Sequence, residues 1–288
     1  MAAKMMPGGP VADAVFAELG PRSEKLIANG YTPGLGTILV GDDGASERYV
    51  GMKMKQAREL GWTSPHVHLS NDATQADLVN AIRSFNEDPS VDAFLVQHPT
   101  PPQIDYEAAL LELDPDKDVD GMHPVNMGRL ALMMPGPAPC TPAGIEALLA
   151  FYEIPVAGHE VCILGRGTTL GRPLALLLSQ KRPTANAAVT VVHTGIPDWP
   201  SYTRRAGIVV AAAGVPGILQ PEHITEGAVV VGGGVLDDGC RLLPSVEVAC
   251  EEVSGAITPR VGGVGPTTIA MLFRNALEAA ERRAGLAL

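Results

Sequence analysis

The stretch VCILGRGTTLGRP, Val161 to Pro173, decides how this chain is read. A β-branched apolar run passes straight into Gly165-Arg166-Gly167, and Gly171 follows with a helix-period segment behind it. Glycines at such a strand end let backbone amides approach a pyrophosphate, and the helix N-terminus favours its negative charge. The spacing is GxGxxxG rather than GxGxxG, so alone it is equally well a tight turn. The strand before it and the helix after it are the neighbours a nucleotide loop requires.

Outward from this loop the chain repeats its pattern. AAVTVVHT, GIVVAAAG, GAVVVGGG and SGAITP are further Val/Ile/Ala runs, with helical stretches between the earlier ones. Such runs suit parallel strands covered on both faces and predict a doubly wound sheet. The second run ends in His193 and Thr194, without the Asp or Glu that usually holds a ribose 2′-hydroxyl. Arg166 with Thr194 suits a 2′-phosphate, so NADP is expected over NAD; a solvated loop arginine is the alternative.

Toward the N-terminus a first α/β series begins at Gly36. GTILVGDD reads as a strand, Ser46 to Leu60 as a helix, SPHVHLS as a weaker strand, Ala73 to Phe85 as a helix and VDAFLVQHP as a buried strand. A Pro-, Asp- and Met-rich region runs from Pro99 to Pro142, with a helical island near Tyr106 to Leu113. In YVGMKMK, Tyr49 and Lys53 share one helix face, either as a solvated pair or as a phenol and an amine aimed into a cleft. A last helix, Thr267 to Ala284, lies beyond the second sheet and is expected to return to the first domain.

The totals narrow the function classes. A chain of 288 residues suggests about two domains. A net charge of −11 disfavours a nucleic-acid or anionic-membrane partner. Cys140, Cys162, Cys240 and Cys250 form no CxxC pair, so no metal site is indicated and reduced thiols in the cytoplasm are expected. No stretch approaches a membrane span, and the Pro and Gly of the N-terminus interrupt any signal-peptide core.

Three further stretches, ILVGDDGASERYVGMKMKQARELG, PDKDVDGMHPVNMGRL and GGVGPTTIAML, resemble the bifunctional methylenetetrahydrofolate dehydrogenase/methenyltetrahydrofolate cyclohydrolase family. PCTPAGIEALL and the glycine loop fit it in the same order. The resemblance implies a folate-binding catalytic domain over 1–141 plus 267–288, and an NADP-binding Rossmann-type domain over 142–266. It places Lys53 as the central catalytic group, Gln97 as its positioning partner, Asp120 on the pterin ring, and Tyr49 stacking on the pterin or tuning Lys53. It further implies substrate contacts at Val96, His98, Gly262, Gly263 and Pro266, and nucleotide contacts at Gly165, Arg166, Gly167, Gly171, Thr194 and Val235. A homodimer through the nucleotide domain is also implied. A lysine can serve as the base of the hydrolytic step if its surroundings lower its pKa toward neutrality.

Several positions depart from the family pattern. His98 stands where Leu is usual, and Arg260 and Val261 where Val and Pro are usual. Gly232 to Leu236 replaces the expected DVGIN, LLPSVE lacks the following GDV, and Gly167 stands in place of a loop serine. Two alternatives therefore accompany the main reading: a member retaining one of the two activities, and a non-catalytic folate or nucleotide sensor.

Overall fold

The computed structural model describes residues 3–237 and 242–286, without the side chains of 235–237 and 242; Cys240 lies outside the described residues. In chain order the elements are β1 (Lys4–Met5), α1 (Gly8–Ala28), β2 (Leu35–Val40), α2 (Gly44–Glu59), β3 (His66–Leu69), α3 (Gln75–Glu87) and β4 (Ala93–Val96). Then come α4 (Tyr106–Leu110), α5 (Pro124–Ala131), α6 (Cys140–Phe151), β5 (Glu160–Leu164), α7 (Gly171–Leu178), β6 (Ala188–Val192) and α8 (Trp199–Arg205). The chain continues through β7 (Ile208–Ala211), β8 (Val229–Gly232), β9 (Val235–Asp237), β10 (Leu242–Pro244), β11 (Ala256–Ile257) and α9 (Val264–Arg283).

These elements form two compact units. The larger comprises Met1–Ala14, Leu130–Met133 and Pro139–Met271; the smaller comprises Val15–Arg129, Met134–Ala138 and Leu272–Leu288. The expected spans, 1–141 plus 267–288 and 142–266, differ from this grouping at the N-terminus, at Leu130–Met133, at 139–141 and within α9. The N-terminal difference has a direct cause in β1. The amides of Lys4 and Met6 donate to the carbonyls of Gly255 and Ile257, adding an edge strand to the large sheet.

Among the described residues, the larger unit holds a six-stranded parallel sheet in the order β1-β11-β8-β7-β5-β6. Alternate strand residues feed two cores, as a period of two requires. Val161, Ile163, Ile208, Val210 and Val231 join Ile145, Leu148 and Leu174 in one. Cys162, Leu164, Val209, Ala211 and Val230 join Leu219, Ile224 and Cys250 in the other. This is the doubly covered sheet expected from the near-continuous apolar runs.

The smaller unit is built on a three-stranded parallel sheet, β3-β2-β4. Every residue of β2 is buried, and α3 contributes Leu78, Ile82 and Phe85 to the core beneath it. Thr74 and Asp77 form a reciprocal capping box that fixes the start of α3. The C-terminal half of α9 groups with this unit, so the last helix returns to it as expected. Its Arg283 donates to Asp92 Oδ1 and to the Val91 carbonyl, both at 2.7 Å. The same buried carboxylate accepts from the Tyr31 hydroxyl at 2.5 Å and the Gly34 amide at 2.9 Å.

Helix α1 carries Pro21 in its interior, where proline removes one backbone hydrogen bond. Its apolar positions Val11, Val15, Leu19 and Leu26 are nevertheless all buried, and that stripe outweighs the lost backbone bond. Among the described residues no helix is long and apolar enough to cross a membrane.

Replacing Asp92 with Ala strands a phenol, an amide and a guanidinium that share one buried acceptor. We expect Asp92→Ala to cost about 3–5 kcal/mol in chemical denaturation. Arg83→Ala, which breaks the exposed pair with Glu112, should cost about 1 kcal/mol or less.

Candidate active site

In the larger unit the loop after β5 is shaped by two glycines. Gly165 has φ of 132°, and a Cβ there would collide with the Ala212 carbonyl; a Cβ on Gly171 would collide with the Gly165 carbonyl. A Cβ on Gly167 would meet nothing within 4 Å, so its backbone faces open space. Two glycines thus allow close packing, and the third leaves the loop open to a ligand.

Beside this loop lies a cavity of about 280 Å³, lined by Gly165, Arg166 and Gly167, by His193 and Thr194 beyond β6, and by Ala212 to Val215 after β7. Its lining offers a guanidinium, a hydroxyl and backbone groups, and no carboxylate. His193 Nδ1 accepts from the Gly195 amide, which leaves Nε2 of a neutral ring as the donor. This donor set fits an anionic nucleotide carrying a 2′-phosphate. The glycine run Gly232 to Gly234 packs tightly as well. A Cβ on Gly233 would lie 2.7 Å from Leu170 Cδ2, and one on Gly234 would collide with the Ala213 carbonyl. The buried Ser245 hydroxyl is within hydrogen-bond reach of the Gly234 carbonyl (2.7 Å) and the Ala213 carbonyl. The unusual GGG and PSVE sequences therefore complement each other. Val235 lies in β9, but its side chain is outside the described residues.

Gly262, Gly263 and Pro266 also belong to the larger unit, at the start of α9. Gly262 has φ of 73° and its carbonyl accepts from the Gly8 amide at 2.8 Å. A Cβ on Gly263 would lie 2.6 Å from the Pro259 carbonyl.

In the smaller unit, Asp43 caps α2 by accepting from the Ser46 amide at 2.7 Å, and this contact holds its carboxyl below the usual range. Tyr49 and Lys53 follow one turn apart on that helix. Lys53 Nζ donates to Gln97 Oε1 at 2.9 Å. Gln97 stands directly after β4, where its backbone amide donates to the Ile38 carbonyl at 2.8 Å. Its Nε2 donates to the His98 carbonyl at 2.7 Å. An ammonium carries no acceptor, so the lysine fixes which way the amide points. Val96 is buried in β4, whereas Tyr49 is 48% exposed.

The segment PDKDVDG divides its charges by role. Lys117 Nζ donates to the Phe85 and Asp88 carbonyls at the end of α3. Asp118 accepts from the Gly121 and His123 amides and from Asn126 Nδ2. Asp120 is partly buried, and burial pushes its carboxyl up, against the pull of the Lys53 charge and with a further push from Asp118. Lys53, Gln97, His98 and Asp120 therefore form one neighbourhood. The structural roles of Asp118 and Ser245 were not anticipated from the sequence.

Residues 6–120 match the family described as tetrahydrofolate dehydrogenase/cyclohydrolase, catalytic domain, and residues 139–284 match its NAD(P)-binding domain. The chain belongs to this family. It is 64% identical to "Bifunctional protein FolD 1" of Salinispora tropica over 97% of this chain and 92% of that protein. It is 55% identical to "Bifunctional protein FolD" of Syntrophotalea carbinolica over 99% of this chain and 98% of that one. Among solved structures, the methylenetetrahydrofolate dehydrogenase-cyclohydrolase of Trypanosoma brucei, complexed with NADP cofactor and inhibitor, superimposes with a TM-score of 0.90. It is 35% identical, with each chain fully covered.

The cavity generates a selectivity prediction. Arg166→Ala removes the guanidinium beside Thr194, and a charge-assisted contact of this kind contributes roughly 1.5–3 kcal/mol. The ratio of kcat/KM for NADP over NAD should fall at least about tenfold, with kcat on NAD little changed. An unaltered ratio would assign the selectivity elsewhere.

Proposed function

We propose that Lys53 is the base of the hydrolytic reaction, that Gln97 aims it, that Asp120 binds the pterin, and that Tyr49 packs on the bound folate. The enzyme is a bifunctional methylenetetrahydrofolate dehydrogenase and methenyltetrahydrofolate cyclohydrolase that uses NADP. The observation that carries the residue assignment is the 2.9 Å bond from Lys53 to Gln97 within the neighbourhood of Asp120.

Oxidation of 5,10-methylenetetrahydrofolate takes a hydride from the bridging carbon and leaves a methenyl cation shared by two nitrogens. NADP, when bound, supplies the hydride acceptor. The loop that Gly165 and Gly171 allow to pack, open at Gly167, would hold its phosphates, and Arg166 with Thr194 its 2′-phosphate. The contribution of the catalytic-type residues to this step is orientation: Asp120 offers two carboxylate oxygens to paired N–H donors on the pterin, and Tyr49 a flat apolar face. Water then adds to the cation; one of its protons is lost and the other ends on the nitrogen whose bond to the bridging carbon breaks, giving 10-formyltetrahydrofolate. Lys53 takes the proton that water loses. A neutral amine does this without repelling the cation, while an ammonium would oppose it. Gln97 Oε1 fixes the amine's direction as it works.

The folate-binding role falls to the smaller unit and the nucleotide-binding role to the larger. Further inferences are a homodimer through the nucleotide unit, whose parallel sheet ends at β6 among the described residues, and a cytoplasmic setting that keeps the buried Cys140, Cys162 and Cys250 as thiols.

Lys53→Gln keeps length and hydrogen-bonding capacity but removes the base. Its cyclohydrolase turnover should fall by about 10²–10⁴-fold while a measurable share of dehydrogenase activity survives. Methenyltetrahydrofolate should then accumulate, seen by its conjugated-cation absorbance. Hydrolysis at the parent rate would remove Lys53 from the role of base. Asp120→Ala should weaken folate binding in calorimetry and leave NADP binding unchanged; undiminished folate affinity would return Asp120 to the acidic run around it.

A further inference from the structure

His98 departs from the family pattern, and the structure gives its ring a partner. The rings of His98 and Tyr106 meet edge to face, with centroids 5.0 Å apart and an interplanar angle of 75°. His98 is exposed, whereas Tyr106 is partly buried and packed against the core of the smaller unit. On its other side His98 is tied to the site: its carbonyl accepts from Gln97 Nε2 at 2.7 Å, and Gln97 Oε1 accepts from Lys53 at 2.9 Å. The segment beyond β4 is difficult to hold by backbone bonds, because Pro99, Pro101 and Pro102 have no amide donor. Side-chain contacts must supply part of that restraint, and Tyr106 is anchored well enough to do so.

We propose that Tyr106 is a positioning residue for Lys53: its ring holds His98, the His98 carbonyl holds the Gln97 amide, and the amide aims the amine. This rests on Lys53 being the base. The phenol itself stays neutral, since burial and the charges of Asp120 and Asp118 raise it above its ordinary range. The phenol ring therefore meets His98 uncharged, in the edge-to-face arrangement that aromatic quadrupoles favour. A loosened Gln97 would leave the lysine's direction less defined without removing any group that touches the folate. The effect belongs in kcat of the hydrolytic step rather than in binding.

The test compares Tyr106→Leu, Tyr106→Phe, His98→Ala and the Tyr106→Leu/His98→Ala double variant, with Lys53→Gln assayed alongside. Tyr106→Leu should lose roughly three- to tenfold in cyclohydrolase kcat, the rate equivalent of one edge-to-face pair. Its KM for methenyltetrahydrofolate and its affinity for NADP should stay within about twofold of the parent. Tyr106→Phe retains the ring and should restore most of the lost turnover. His98→Ala changes a surface side chain and should show the same loss, and the double variant should lose no more than either single one. Parent turnover in either single variant, or losses that multiply in the double variant, overturns the proposal. If Tyr106→Leu fails to fold, His98→Ala decides: a loss in kcat with KM for methenyltetrahydrofolate within about twofold of the parent upholds the proposal, and a rise in KM beyond that overturns it. Retained hydrolysis in Lys53→Gln would overturn the base assignment; its loss beside unaffected Tyr106 and His98 variants would overturn only the positioning role.

Discussion

The hydrogen bond from Lys53 to Gln97 depends on a single strand. β2 leads through Gly41 and Asp43 into α2, which carries Lys53, and it pairs in parallel with β4, which ends just before Gln97. The Gln97 amide closes that ladder on the Ile38 carbonyl. A slip of one residue in the β2–β4 register would turn Gln97 to the other face and remove the acceptor. The burial of all six residues of β2 prevents such a slip, because it would force the buried apolar side chains of β4 to exchange faces. The geometry of the amine is thus set by hydrophobic packing beneath it.

The glycine loop obeys a different constraint. Gly165 and Gly171 are required by contacts with backbone, at the Ala212 carbonyl and at Gly165 itself, whichever ligand is bound. Only Gly167 leaves space toward the outside. Two of the three motif glycines therefore report strand–turn–helix packing, and for this reason the altered GxGxxxG spacing is compatible with the usual geometry. Arg166, between the packed and the open glycine, is free of such structural demands and can vary with the ligand.

Legibility followed the same physics. The strands of the larger unit were readable because burial on both faces leaves near-continuous Val, Ile and Ala runs. Helix α2 and the Tyr49–Lys53 pairing were readable from spacing. Roles were not: periodicity alone left Lys53 as an ordinary surface lysine, and the family resemblance was needed to prefer the chemical reading. Strand β1 is only two residues long, too short for any alternation to register. The Tyr106–His98 contact joins the end of a strand to the start of a helical island across a proline-rich stretch, and no local pattern reports such a pairing. Ser245 reads as one polar residue in a short turn, and only the approach of Ala213 and Gly234 shows its function.

The carboxylates of PDKDVDG show why a site of this kind needs a scaffold with stability in reserve. Burial raises the pKa of both Asp118 and Asp120. A carboxyl raised on folding holds its proton more tightly in the native state. Folding is therefore favoured below the unfolded value, and that share is lost as pH rises toward the native one. At neutral pH both residues thus weigh against the fold. Asp118 is offset by three donors, the Gly121 and His123 amides and Asn126, which lock the loop in return. Asp120 is opposed chiefly by the charge of Lys53 at a distance. A carboxylate held at a cost beside a base is the arrangement expected when the compensating donors are to come from a ligand. The distribution of donors in this segment thus distinguishes Asp118, which the loop itself satisfies, from Asp120, to which we assign the pterin.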